Sequence, residues 1–135
     1  MKNFEELKNF IKKDIDIFLG ISFEELIKNI IITENIKNKL PFKIEKIGSY
    51  YDKKGQNKVD LVCVNSKEKK VLFIECKLNS KNINNSQLEK LKQKVKDSGI
   101  YFSYKKYFGL SSLEKSENKV DCDYSLFLSE YLENK

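Results

Sequence analysis

Glu75-Cys76-Lys77 sits inside an otherwise apolar run, Val71-Leu72-Phe73-Ile74 before it and Leu78 after. An acidic residue, any residue and a lysine recur six times in the chain, starting at Glu6, Asp52, Glu68, Glu75, Glu117 and Glu133. In a lysine-rich chain the pattern alone is cheap, and the other five lie in polar stretches expected at the surface. Two charges within an apolar strand are costly to bury and call for partners or a function. Hairpin register supplies a partner. If residues 66–69 form a four-residue loop, Asn65 faces Lys70 and Asp60 falls opposite Glu75. The two carboxylates then share one face of the sheet with Cβ atoms about 5 Å apart, which is destabilising without a cation between them. Lys77 projects from that same face, whereas Leu61, Cys63, Ile74 and Cys76 project from the other.

Two carboxylates and a lysine, with no histidine or clustered cysteine nearby, favour a hard, oxygen-loving ion, Mg²⁺ or Mn²⁺. Such an ion could hold a phosphate oxygen and acidify a bound water, while Lys77 positions that water or offsets developing negative charge. The chemistry expected is hydrolysis of a phosphodiester. The competing reading is a salt-bridged cluster at a strand end, in which Lys58 supplies the missing positive charge.

Absences narrow the field further. The chain has 135 residues and no histidine. It therefore cannot build a Ser-His or Cys-His nucleophilic pair, a histidine-bearing zinc site or a histidine general base. Cys63, Cys76 and Cys122 show no C-x-x-C spacing, and two of them fall in apolar strands, as free thiols in a reducing compartment would. The net charge is +6, and all 26 basic residues are lysines in a composition free of arginine and alanine. Part of that charge reflects an AT-rich coding bias, and the remainder is compatible with an anionic partner such as DNA. No apolar run approaches a membrane span and no signal-peptide core opens the chain, so a cytoplasmic protein is expected.

The elements that must position these residues are legible from periodicity. Phe4, Leu7, Ile11, Ile15 and Phe18 form one helical stripe, with Gly20 as a stop. Ser22 is placed to cap a second helix with Phe23, Leu26, Ile27, Ile30 and Ile31 on its apolar side, ending before Lys39. Strands are expected at about 42–51, 57–65 and 70–78, separated by Asp52-Lys53-Lys54-Gly55 and residues 66–69. A polar loop over residues 81–86 leads into a third helix marked by Leu88, Leu91 and Val95. A fourth strand is expected between Ile100 and Leu110, and a short final helix over residues 124–132. The order α-α-β-β-β-α-β-α describes an α/β domain, one unit over residues 1–135, with a mixed central sheet of about four strands flanked by helices.

Phe23-Glu24 on a helix, Ile47-Gly48-Ser49-Tyr50-Tyr51-Asp52, Val59-Asp60-Leu61-Val62 and Leu72-Phe73-Ile74-Glu75-Cys76-Lys77 together resemble the nuclease-like C-terminal domain of archaeal AAA-type ATPases. That domain belongs to the PD-(D/E)XK superfamily, and the resemblance covers roughly residues 20–112. It implies a restriction-endonuclease-like core and a magnesium-dependent deoxyribonuclease. The implied site is Glu24, Asp60, Glu75 and Lys77, with the Cys76 backbone carbonyl as a further metal ligand and Glu25 as an alternative to Glu24. Two positions depart from the family pattern, Asn57-Lys58 before the strand aspartate and Tyr50-Tyr51 after the glycine, and neither removes a ligand. Gln87 lacks the tyrosine four residues on that accompanies a comparable glutamine in related nucleases. DNA phosphates are expected on Lys81, Lys90, Lys94 and Lys105, with Lys92, Lys96 and Lys106 nearby in sequence. The resemblance implies an ATPase domain or subunit as protein partner; the chain has no phosphate-binding loop of its own, so a detached domain, a fragment of a longer protein and a stand-alone relative are all compatible with it. A homodimer, and a catalytically silent module that binds DNA or the ATPase, are left open.

Overall fold

The computed structural model describes residues 21–55 and 57–133. The helix expected around Phe4 to Phe18 lies outside them. Among the described residues the order is α1 (Ile21–Ile36), β1 (Lys46–Tyr51), β2 (Lys58–Asn65), β3 (Lys70–Lys77), a 3₁₀ turn (Ser80–Asn82), α2 (Asn85–Ser98), β4 (Lys105–Ser112), β5 (Tyr124–Phe127) and α3 (Leu128–Glu133). They build an α/β domain around one five-stranded mixed sheet in the order β1-β2-β3-β4-β5. The first three strands meander antiparallel, and β3, β4 and β5 run parallel to one another.

β3 is the spine of the sheet. Val71, Leu72, Phe73 and Ile74 are all fully buried, because alternate side chains of this central strand enter two different cores. On one face Leu72 and Ile74 join Leu61 and Cys63 beneath Phe23, Ile27, Ile30 and Ile31 of α1. On the other, Val71 and Phe73 join Val62 and Val64 beneath Leu91 and Val95 of α2. The three- and four-residue spacing of these helical side chains puts each set on one stripe, so each helix is held by the face it buries.

The ends of the elements follow local chemistry. Asn84 caps α2, its side chain accepting from the Gln87 N–H, and Gly99 closes the helix in the left-handed conformation at φ +69°. Ser22 does not stand at an N-cap, since α1 already includes Ile21. The 66–69 loop has the expected length, and β2 and β3 pair from Asn65↔Lys70 to Leu61↔Ile74.

Two expectations need correction. Residues 42–45 are not strand, because Phe42 and Ile44 pack into the α1 core and the Asn35 side chain takes both the N–H and the C=O of Ile44. The fourth strand does fall in the expected run, starting at Lys105 after a turn in which Tyr101 adopts φ +51° and continuing to Ser112. The segment expected as a final helix opens as a fifth strand. Tyr124–Phe127 pairs with Gly109–Ser112, and Asp123 starts the ladder by accepting the Phe108 N–H through its carboxylate while donating its own N–H to the Phe108 carbonyl. Gly109 allows this close approach, since a Cβ there would stand 2.9 Å from the Tyr124 carbonyl oxygen.

Candidate functional site

At the C-terminal end of β3 three carboxylates and three ammonium groups converge from four elements. Glu75 and Lys77 come from β3, Asp60 and Lys58 from β2, Glu24 from α1 and Lys94 from α2. Asp60 and Glu75 are only 8% and 6% exposed, so each must find its partners within the protein.

A β-bulge shapes Asp60. Gly48 pairs with Val62 but Tyr50 pairs with Val59, so Asp60 and Leu61 together oppose the single residue Ser49. An extra residue of this kind bends the strand and re-aims its side chains. Ser49 fastens the bulge by donating its hydroxyl to the Asp60 carbonyl at 2.8 Å. The regular β2–β3 ladder stops at Leu61↔Ile74, one step short of the expected Asp60–Glu75 pair. In its place the Asp60 Oδ2 accepts the backbone N–H of Cys76 at 2.8 Å.

The ammonium groups divide the acids between them. Lys58 Nζ lies 3.0 Å from Glu24 Oε1 and 3.4 Å from Asp60 Oδ1, bridging α1 to the bulge. Lys94 Nζ lies 3.4 Å from Glu75 Oε1 and donates to the Lys58 backbone carbonyl at 2.7 Å, which ties α2 to the same edge. Lys77 Nζ is 3.7 Å from Glu75 Oε2 and is the loosest contact of the set.

Proton affinities record the crowding. Burial pushes the Glu75 carboxyl above its ordinary value, the Asp60 charge adds to the rise, and Lys94 and Lys77 oppose it. Burial likewise raises Glu24, and its contact with Lys58 pulls the other way while the neighbouring Asp60 pushes up. Burial would lower the Lys58 ammonium, but Glu24 and Asp60 outweigh it and hold that proton more tightly than usual. The Cys76 thiol is raised by burial and then by Asp60, and burial pushes Cys63 up to about 12, which disfavours the thiolate form of both.

The structure thus brings together Glu24, Asp60, Glu75 and Lys77. Glu25 points away from them on the exposed side of α1. Of the lysines expected on DNA, Lys94 enters the cluster as an ion-pair partner, while Lys90 and Lys81 are exposed on α2 and the 3₁₀ turn. Lys105 lies apart from the cluster. It pairs with Lys70 at the opposite end of the sheet, five residues along β3 from Glu75 and hence about 17 Å away. Sequence reasoning missed the anchoring by Lys94 and Ser49. Position 94 adjoins the Leu88-Leu91-Val95 stripe, which is the one signal that could have turned it inward.

The donor chemistry, carboxylates and a backbone carbonyl, suits a hard divalent ion. Among the described residues, however, no three histidine, cysteine or acidic side chains are grouped so as to hold a metal as they stand. Between Glu24 and Asp60 stands the Lys58 ammonium instead. Two cavities lie away from this cluster. One of about 220 Å³ is lined by Glu34, Lys37, Phe127 and Tyr131 among others, and one of about 520 Å³ by Lys92, Lys96, Phe102 and Phe108 among others.

A family model, DUF234, described as archaeal and bacterial proteins of unknown function, matches residues 1–91. The chain belongs to this family. The DUF234 match includes Glu24, Lys58, Asp60, Glu75 and Lys77 and ends before Lys94. An uncharacterized protein of Methanocaldococcus jannaschii is 36% identical over 121 residues, covering 87% of this chain and 26% of the relative. The chain spans about a quarter of the length of that curated relative. No solved structure matches it. No helix among the described residues is long and apolar enough to cross a membrane.

Proposed function

We propose that this DUF234 chain is a nuclease-type domain of the PD-(D/E)XK kind, a metal-dependent phosphodiester hydrolase acting on DNA. The observation that carries the reading is the fastening of Asp60 to the Cys76 N–H, which sets a buried strand aspartate against the one acid-x-lysine motif that lies in the sheet. Carboxylates raised in proton affinity by burial and by one another are costly for stability, and such costs concentrate at functional sites.

Asp60, Glu75 and the Cys76 carbonyl are the groups that would hold Mg²⁺ or Mn²⁺, with Glu24 completing the set. When bound, such an ion supplies Lewis acidity to a phosphate oxygen and makes water a better nucleophile. Lys77 would orient that water or neutralise charge at the phosphorus, a role its partial exposure beside Glu75 supports. Exposed Lys90 and Lys81 suit contact with the phosphate backbone. An ATPase domain or subunit, implied by the family resemblance and accommodated by the greater length of the relative, is the proposed partner.

Supercoiled plasmid incubated with the chain and Mg²⁺ or Mn²⁺ is expected to be nicked, and Glu75→Ala or Lys77→Ala should abolish nicking. Equal cutting by these variants would sink the assignment. One observation favours a second reading: three ammonium groups neutralise three carboxylates, so the cluster also works as a self-satisfied ion-pair network. A silent module of that kind would bind DNA in a salt-sensitive manner, or an ATPase, and cut under no metal.

A further inference from the structure

We infer that Lys58 is an internal competitor for the divalent cation, an ammonium group that holds the acidic site shut until an ion displaces it. The inference rests on the metal-dependent reading above and concerns how that site is loaded.

Three features of the geometry carry it. Lys58 Nζ stands between carboxylates from two different elements, 3.0 and 3.4 Å from the two Glu24 oxygens and 3.4 Å from Asp60 Oδ1. It therefore satisfies the acids as a cation would, and with the second Asp60 oxygen held by Cys76 the two cannot share these oxygens without moving. Lys58 is also the solvent-side member of the trio. Its side chain is 37% exposed, against 25% for Glu24 and 11% for Asp60, so the ammonium can withdraw without disturbing the core.

Finally, an exposed aromatic ring already flanks the ammonium. Lys58 Nζ is 5.5 Å from the ring centroid of Tyr51, which is 61% exposed at the end of the edge strand β1. The ammonium makes this contact while it is still paired with the acids, so the ring is a partner it can keep as it turns towards water. Lys94 lacks this freedom, because it is pinned to the Lys58 carbonyl at 2.7 Å as well as to Glu75. The two lysines thus differ in kind, one a fixed strut and the other a movable plug.

The test is Mn²⁺ binding to the full chain, measured by calorimetry without DNA, with thermal unfolding recorded alongside. Lys58→Met removes the competing charge while keeping an apolar stem of similar length, and it should bind Mn²⁺ about tenfold more tightly than wild type. Lys58→Arg keeps the charge and grips carboxylates with a planar fork, so it should bind more weakly than wild type. In metal-free buffer Lys58→Met should melt lower than wild type, and saturating Mn²⁺ should restore more of its stability than it adds to wild type. Equal or weaker binding by Lys58→Met, or tighter binding by Lys58→Arg, overturns the inference and leaves the hydrolase reading untouched. Should Lys58→Met misfold, the direction of the Lys58→Arg change decides alone. Tighter binding by Lys58→Met without any DNA cleavage supports the competitor role while overturning the hydrolase. Binding by neither wild type nor variants overturns the inference.

Discussion

The backbone N–H of Cys76 donates to the carboxylate of Asp60 at 2.8 Å, so the acid on β2 is moored to the peptide that joins Glu75 to Lys77. Position and charge at this site are therefore separable. Asp60→Asn keeps an oxygen acceptor for Cys76 but removes the charge that raises Glu75. The Glu75 carboxyl should titrate lower in Asp60→Asn than in wild type while staying raised by burial, as carbonyl chemical shifts would report. Asp60→Ala loses the mooring too and should cost about 1–3 kcal/mol in urea unfolding.

Glu75 also sets a pH dependence. Its proton is bound more tightly in the folded chain than at the ordinary value of 4.5, so the folded state carries more protons than the unfolded one between the two values. Its contribution to stability is fully present below 4.5 and is lost as pH rises through the folded value. The stability of wild type relative to Glu75→Gln should accordingly decline as pH rises above that point. Denaturant midpoints of the two proteins that run parallel from pH 4 to pH 8, both about flat, would refute it.

Lys94 and Lys105 both belong to the basic complement, but only Lys94 touches the acidic site. Lys94→Met should reduce Mg²⁺-dependent nicking by about tenfold or more, because Glu75 loses a charge partner and α2 its tie to β2. Lys105→Met should leave nicking within about twofold of wild type. Equal losses would place the phosphate path along the whole sheet.

Gly109 offers a test of the β4–β5 contact. A Cβ at this position meets the Tyr124 carbonyl at 2.9 Å and Ile74 Cγ1 at 3.3 Å. Backbone cannot step aside as a flexible side chain can, so Gly109→Ala should destabilise the fold by about 1–3 kcal/mol. Amide exchange should quicken first in Tyr124–Phe127.

What the sequence disclosed follows from how local each feature is. The β2–β3 register was readable because a short loop fixes it, and Asn65↔Lys70 is indeed the first pair. The α1 and α2 stripes were readable because burial imposes a helical period on them. β5 was not, since four residues that pair in parallel with a strand about 15 positions back leave no turn signal, and Leu126, Phe127 and Leu128 suit a helix equally well. The bulge escaped because it depends on Ser49 of a different strand. Lys94 escaped for a different reason, as one lysine among many on a helix resembles solvated surface until its two acceptors are in view.

The extra residue at Asp60 and Leu61 also flips the parity of β2. Val59 and Val62, three positions apart, join the same core, which an unbroken strand would forbid. Removing one residue there would let β2 run flush against β1 and swing Asp60 off the Cys76 peptide. With Leu61 the residue lost, the site would be dismantled with every one of its side chains still encoded, so an inventory of motif residues cannot by itself distinguish an intact site from a dismantled one; the spacing between Asp60 and Glu75 must be read as well.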